Sequence, residues 1–333
     1  MSKLLVTGGA GYIGSHTVRS LLEAGHNLVV LDDLSAGSEK AVGSATLVVG
    51  DVGDREFVRS VFSAYGPFDG VLHFAGSIEV ARSMVEPLDF YETNLTKAIT
   101  LLGVSVEHGI KAFVFSSTAA VYGIPESQPI VEDAAIDPIN PYGSSKSMFE
   151  QVMADAGQAH GTGWIALRYF NACGAHPDGD LGENHEPETH LIPLAIAAAA
   201  GVGQSLQLRG TDYPTPDGTC VRDYIHVTDL AAAHVTAIEG LIGGASSGVF
   251  NLGTGVGQSN RQVLEAVGRV VAPVPYDEAD RRPGDPAELV ADSRAFRAAF
   301  GWEPKASDLD TIVASAWKWH QSQWGISTDA IAK

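Results

Sequence analysis

One pair of residues in this sequence has the types and spacing for proton transfer: Tyr142 and Lys146, in Tyr142-Gly143-Ser144-Ser145-Lys146. Asn140-Pro141 just before them suits an N-cap and a first helical position. That predicts a helix carrying both side chains on one face, a turn apart. A free phenol ionises near pH 10 and is a poor base at neutrality. A nearby ammonium and a cationic cofactor ring favour the phenolate and bring it towards the working range. Such a base takes the proton of an alcohol while hydride leaves the same carbon. About 0.2 Tyr-x-x-x-Lys spacings are expected by chance in a chain of this composition, so the pair counts because of where it falls. Phe115-Ser116-Ser117-Thr118 precedes it, and Thr118 is placed to hydrogen-bond the same oxygen that Tyr142 deprotonates.

Those residues need a scaffold, and the pattern supplies one. Residues 4–6, 28–31, 46–49, 70–74, 113–115 and 164–167 read as strands, with helical patterns at 13–24, 55–65 and 87–108. Strands that are apolar throughout and separated by helices belong to a parallel sheet covered on both faces. The expected fold class is α/β: a doubly wound parallel (Rossmann) sheet with a smaller mixed α/β C-terminal substrate domain. The alternation stops near Gly174. Residues up to 190, rich in Gly, Pro, Asp, Glu and His, read as a long loop. A helix at 191–200, a strand at 249–252 and helices at 261–270 and 309–324 follow. The expected division is 1–175 for the nucleotide-binding domain and 176–333 for the substrate domain, with the chain free to cross back to the first.

The turn after the first strand, Val6-Thr7-Gly8-Gly9-Ala10-Gly11-Tyr12-Ile13-Gly14, is the second chemical signal. A tight turn, close approach of backbone to a pyrophosphate, and helix-on-sheet packing each call for a glycine, here Gly8, Gly11 and Gly14. The helix that follows offers N–H donors and partial positive charge to phosphates. Asp32 ends the second strand, 18 residues after Gly14. A carboxylate there accepts from ribose hydroxyls and repels a 2′-phosphate, so NAD is expected over NADP. Asp51-Val52 after the third strand and Phe74-Ala75-Gly76 after the fourth fit the adenine side.

Composition narrows the partners. The chain has 333 residues, 45% hydrophobic and 18% charged, which is globular and large enough for more than one core. Its net charge of -19, from 40 acidic and 21 basic side chains, repels nucleic acid and anionic membranes, and neither is expected as a partner. An anionic ligand must then be met by locally placed arginines. The opening runs straight into a strand pattern, which makes the cytoplasm the expected location. Cys173 and Cys220 are expected to be reduced and packed. The histidines and acids of 176–190 match no compact ligand spacing, and no metal is expected.

The motifs together narrow the reading further. TGGAGYIGSH (7–16), SSTAAVYG (116–123), RYFNACGAH (168–176), DGTCVRDYIHVTDL (217–230) and RRPGDPA (281–287), with Asn94 in the helix before the fifth strand, cover almost the whole chain. They resemble the UDP-glucose (UDP-galactose) 4-epimerases of the extended short-chain dehydrogenase/reductase superfamily.

The resemblance implies a set of roles. Tyr142 is the base, Lys146 lowers its pKa and binds the nicotinamide ribose, and Thr118 positions the sugar oxygen. NAD is held by Gly8, Gly11, Tyr12, Ile13, Gly14, Asp32, Asp33, Leu34, Ser35, Asp51, Val52, Phe74, Ala75, Gly76, Asn94, Tyr142, Lys146 and Phe170. The UDP-sugar is met by Thr118, Tyr142, Asn171, His190, Leu191, Arg222, Arg282, Asp285 and Leu289. In this scheme Arg222 and Arg282 hold the diphosphate and Asp285 the ribose. His190 stands where many members carry asparagine, and Ile78 and Arg82 depart from a common Lys-x-x-x-Glu pattern. Leu289 is intermediate between the tyrosine that excludes an N-acetyl group and the smaller residues that admit it, which leaves UDP-N-acetylhexosamines open as substrates. A homodimer is implied through a bundle of two helices per subunit, the candidates being 87–108 and 140–160.

Two other readings compete. A nucleotide-sugar 4,6-dehydratase needs Asp-Glu after the strand-end threonine, and this chain has Ala119-Ala120. A non-catalytic NAD-binding sensor has no use for a Tyr–Lys pair beside a threonine.

Overall fold

In the computed structural model, which describes residues 1–326 apart from Pro283, the apolar runs of the first half are strands. They are β1 (Lys3–Thr7), β2 (Asn27–Asp32), β3 (Thr46–Val49), β4 (Gly70–His73), β5 (Ala112–Ser116) and β6 (Gly163–Tyr169). Between them run α1 (Tyr12–Glu23), α2 (Arg55–Tyr65), the single turn α3 (Val80–Ser83), α4 (Pro87–Tyr91), α5 (Lys97–Glu107) and α6 (Pro141–His160). The second half contains β7 (Asn171–Cys173), α7 (Leu191–Ala199), β8 (Leu206–Arg209), β9 (Val221–His226), α8 (Val227–Ile242) and β10 (Gly248–Leu252). β11 (Gly257–Ser259), α9 (Asn260–Val270), β12 (Tyr276–Ala279), β13 (Glu288–Leu289), α10 (Arg294–Phe300) and α11 (Leu309–Trp324) complete it.

The main sheet is wholly parallel, in the order β10-β6-β5-β4-β1-β2-β3. The order reverses between β1 and β4, where a doubly wound sheet opens its ligand crevice at the carboxyl ends of the strands. Both faces are covered, which is why β1 and β2 read as unbroken apolar runs. On one face Val18 and Leu21 of α1 pack with Leu230, Ala233, Ala237 and Ile238 of α8. On the other, Val58 and Val61 of α2, Leu101, Leu102 and Val104 of α5, and Phe149 and Met153 of α6 form the core.

Helix α8 is absent from the sequence reading, and the reason is physical. Three of its buried residues, Ala231, Ala233 and Ala237, are alanines, which give a weak hydrophobic contrast between faces. Its start is fixed by tertiary contacts instead: the Asp229 carboxylate accepts from Lys305 N (2.9 Å), Ala306 N (2.8 Å) and Ser307 Oγ (2.6 Å). After α8 the chain supplies β10 to the main sheet, so the second half contributes to both layers. The expected helix over 87–108 is helical from Pro87 to Glu107 but broken in type, with a wide π turn at Glu92–Thr96 between α4 and α5. Such turns recur at functional sites.

The remaining strands form two small sheets, β11-β9-β13 with β7 added to β9, and β12-β8. They pack with α7, α9 and α11 around Ile192, Ile196, Leu206, Leu208, Val263, Val267, Ile312 and Val313. Cys173 and Cys220 are both free and buried. No helix among the described residues is long and apolar enough to cross a membrane.

Candidate active site

The glycine turn is closed on itself and open towards α1. Gly8 has φ +71°, and a Cβ there would lie 2.4 Å from Ala75 N; one on Gly14 would lie 2.1 Å from Gly8 O. At Gly11 the nearest atom to an added Cβ is 3.5 Å away, so that side of the turn is clear. Gly11 is the N-cap of α1 and provides no side-chain cap, and the first helical turn carries no acid. Its N–H groups therefore face outward as an anion cradle. Tyr12 directs its hydroxyl away, donating to Gly174 O at 2.6 Å and tying the turn to the segment after β7.

Asp32 serves the turn first. Its carboxylate accepts from Ala10 N and Leu34 N, both at 2.9 Å. Leu34 is held at φ 59°, the only described non-glycine residue at positive φ, a conformation a leucine keeps only when its surroundings enforce it. Burial raises the Asp32 pKa and the two N–H bonds oppose the rise. Asp33 accepts from Ser35 N (2.9 Å) and Ser35 Oγ (2.5 Å). Asp51, followed by buried Val52, is paired with Lys97 Nζ at 2.6 Å, a partner the sequence reading did not name. Phe74 packs against His234, ring centroids 4.7 Å apart.

Asn94, buried in the π turn, accepts from Ser77 N (2.8 Å) and donates to Ser77 O (3.0 Å). It thereby fixes the loop after β4. Gly76 lies between it and the lysine: a Cβ on Gly76 would sit 2.7 Å from Asn94 Oδ1 and 3.5 Å from Lys146 Nζ.

Tyr142 and Lys146 lie on the first turns of α6, capped as expected by Asn140, whose Oδ1 accepts from Gly143 N at 2.8 Å. Thr118 follows β5 and caps a 3-10 turn, accepting from Ala120 N at 3.1 Å. Desolvation pushes the Tyr142 phenol up from its ordinary value, and its hydrogen bond with Thr118 works the other way. The Lys146 ammonium lies 6.0 Å from the Tyr142 ring centroid. Lys146 is itself 3% exposed, gives one hydrogen bond, to Ser116 O at 3.1 Å, and sits 4.8 Å from the Phe115 ring centroid. Burial brings it down to about 8. A buried ammonium with a single acceptor has donors to spare for a polar ligand. The cleared turn, the outward N–H groups, Asp32 and this ammonium fit a dinucleotide. Tyr169, part of the 168–176 motif but given no role from sequence, touches Ser116 Oγ through its hydroxyl, and burial, with the Tyr142 phenol nearby, pushes its own ionisation up.

The second half brings its residues together less tightly. Phe170 and Leu289 pack on the same small cluster as Ala119, Val121 and Tyr122, which places β13 beside the strand end. Asn171 opens β7, opposite Tyr224 of β9. Of the motif at 217–230, Asp217, Asp223 and Asp229 accept backbone N–H groups and hold loops. Arg222 pairs with Asp285 and donates to Val221 O (2.7 Å) and Pro286 O (2.8 Å). Arg282 is exposed on the turn that ends at Asp285 and shares no bond with that pair beyond the backbone, Asp285 N to Arg282 O at 3.2 Å.

His190 precedes α7, whose first residue is Leu191. The loop folds so that Glu183, His185, Glu188 and His190 meet, their donor atoms within 4.8 Å of one another, although their spacing had suggested no cluster. They satisfy one another: Glu183 contacts His190 Nδ1 at 2.7 Å and His185 Nδ1 at 3.0 Å. Burial works against charge on His190, but Glu183 and Glu188 raise it to about 10. Arg82 pairs with Glu79, Glu86 and Asp89, and Ile78 is exposed.

A doubly wound sheet with an uncapped glycine turn and a Tyr–Lys–Thr set at the adjacent strand end defines a dinucleotide-binding α/β enzyme. The chain belongs to the NAD dependent epimerase/dehydratase family, whose sequence profile matches residues 4–253. It is 52% identical to a UDP-glucose 4-epimerase of Azospirillum brasilense over 322 residues, 96% of this chain and 92% of the relative. Among solved structures it is similar to a UDP-glucose 4-epimerase from Brucella ovis in complex with NAD. There the TM-score is 0.93 and the identity 45%, covering 95% of this chain and 98% of that one. It is likewise similar to the Bifidobacterium longum enzyme in complex with NAD+ and UDP. That match has a TM-score of 0.90 at 38% identity, over 97% of this chain and 98% of that one.

Proposed function

We propose that this chain interconverts UDP-glucose and UDP-galactose through a 4-keto sugar, with NAD kept bound. The observation that carries the reading is the strand-end site. One phenol, Tyr142, stands where the strand-end Thr118 hydroxyl acts on it, and the two residues after Thr118 are Ala119 and Ala120. The site moves one proton to and from one oxygen and has no second acid or base there to eliminate water, which disfavours the dehydratase. Relatives over nearly the whole chain bear the epimerase name.

NAD, held by these residues, would supply a reversible hydride acceptor for the sugar carbon. The chain's own residues do the rest. Tyr142 takes the 4-hydroxyl proton and gives it back, Thr118 fixes that oxygen, and Lys146 supplies positive charge beside the phenol and donors to the cofactor ribose. Arg222, Arg282 and Asp285 hold UDP, assisted by Asn171, His190 and Leu191, while the keto sugar turns over and presents its other face. Phe170 and Leu289 line the sugar's side, and Gly8 to Gly14, Asp32 to Ser35, Asp51, Val52, Phe74 to Gly76 and Asn94 hold the dinucleotide.

We place the chain in the cytoplasm as a homodimer. The helices named for dimerisation carry outward apolar side chains, Leu88 at 82% exposure, Ile99 at 42% and Met148 at 46%, and light scattering after gel filtration reads the mass. The purified protein, mixed with UDP-galactose and followed by NMR of the sugar anomeric proton, is expected to form UDP-glucose. Loss of water points to the dehydratase, and an unchanged substrate sinks the reading.

A further inference from the structure

Behind the strand end lies a buried ion pair that the proposed cycle does not use. Glu150 and Arg168 have side chains 7% and 6% exposed. Arg168 donates to Glu150 through Nε (3.0 and 3.2 Å) and Nη2 (2.5 Å). Its remaining nitrogen, Nη1, donates to Tyr122 Oη at 2.9 Å, and Tyr122 donates to Asn251 Oδ1 of β10 at 2.7 Å. Ser117 Oγ donates to Glu150 Oε1, the oxygen that also accepts from Arg168 Nε. Burying such a pair costs desolvation on both charges, so its retention over an apolar filling asks for a reason beyond stability.

The placement gives one. Glu150 is one helical turn after Lys146 on α6. Ser117, which it grips, is the residue before Thr118. One carboxylate, on the helix that carries Lys146, therefore touches the strand end that carries Thr118.

We propose, resting on the epimerase reading, that Glu150 is a positioning residue for the proton-handling site. It fixes Ser117 so that Thr118 faces Tyr142, and its negative charge holds the Lys146 ammonium in a site that otherwise expels it. Arg168 balances the carboxylate and ties it, through Tyr122, to the returning strand. Glu150 is the charged group that favours the ammonium form of Lys146 against burial. The other titratable groups around the ammonium are Tyr142 on its own helix, His73 on β4, and Tyr169 and Arg168 on β6. His73 is driven down to about 3 by burial and by Lys146 itself.

Glu150→Gln keeps the acceptor for Ser117 and removes the charge. In the purified protein, with lysine Cε carbons labelled and Lys146 assigned through Lys146→Met, its NMR titration midpoint should fall by about one pH unit in Glu150→Gln. In the same variant kcat should drop roughly tenfold to a hundredfold with KM for UDP-galactose nearly unchanged, and the alkaline limb of kcat should move down with the midpoint. Glu150→Asp, which keeps the charge, should recover the midpoint. A folded Glu150→Gln with the parental midpoint and pH profile overturns the proposal. Should Glu150→Gln fold poorly, Glu150→Gln/Arg168→Met removes both charges, and a parental midpoint in that double variant overturns it equally. A parent chain inactive on UDP-galactose counts against the epimerase reading alone, because the lysine titration judges Glu150 without it.

Discussion

The two halves of the site are built in opposite ways. Around the strand end, Asn94, Thr118 and Lys146 are 1%, 8% and 3% exposed and each has a bonded place in the sheet or its covering helices. Around the proposed UDP end, Arg222 pairs with its own Asp285 on short strands and a turn, Arg282 is exposed, and His190 keeps 44% of its side chain in solvent. The first arrangement suits chemistry that tolerates little error in geometry. The second suits a handle that grips charge while the sugar beyond it turns. Rigid packing goes where the proton moves, and adaptable charge goes where the ligand hangs.

Four experiments bear on that contrast, from the largest expected effect down. Tyr142→Phe removes the one proton carrier of the buried half and should lower kcat roughly a thousandfold while dinucleotide stays bound. A variant within tenfold of the parent in the UDP-galactose assay would break the assignment.

Lys146 gives the buried half a pH signature. Its folded value of about 8 lies below the unfolded lysine value near 10.4. Between those values the unfolded chain holds more protons, so this group makes stability rise with pH through the window, level off above it, and stay at its lowest below pH 8. Compared with Lys146→Met, the parent should gain up to roughly 3 kcal/mol across that range. Denaturant unfolding at a series of pH values measures it, and parallel curves for the two proteins would contradict it.

Arg222→Met tests the adaptable half. It removes charge-assisted bonds to phosphate and leaves Asp285 facing an anion, so KM for UDP-galactose should rise roughly tenfold to a hundredfold with a smaller change in kcat. A fall in kcat at unchanged KM would assign Arg222 to the chemistry instead. The smallest effect is at the border between the halves. Leu289→Tyr should reduce any activity on UDP-N-acetylhexosamines and spare UDP-glucose, and equal losses on both would refute that role for Leu289.

Residue types and their order determined the parallel sheet, the glycine turn, the helix that carries Tyr142 and Lys146, and its Asn140 cap. These are local: an apolar run, a tight turn or a one-turn spacing is written in neighbouring residues. What only the tertiary structure decided came from residues far apart in sequence. Helix α8 is fixed by Asp229 reaching residues 305–307, the Glu183–His190 cluster by the folding of a loop without periodicity, and the Arg168–Glu150–Ser117 network by three separate elements meeting. The phenol shows the same divide. Spacing placed an ammonium near Tyr142, but the burial that pushes the phenol up is a property of the assembled fold.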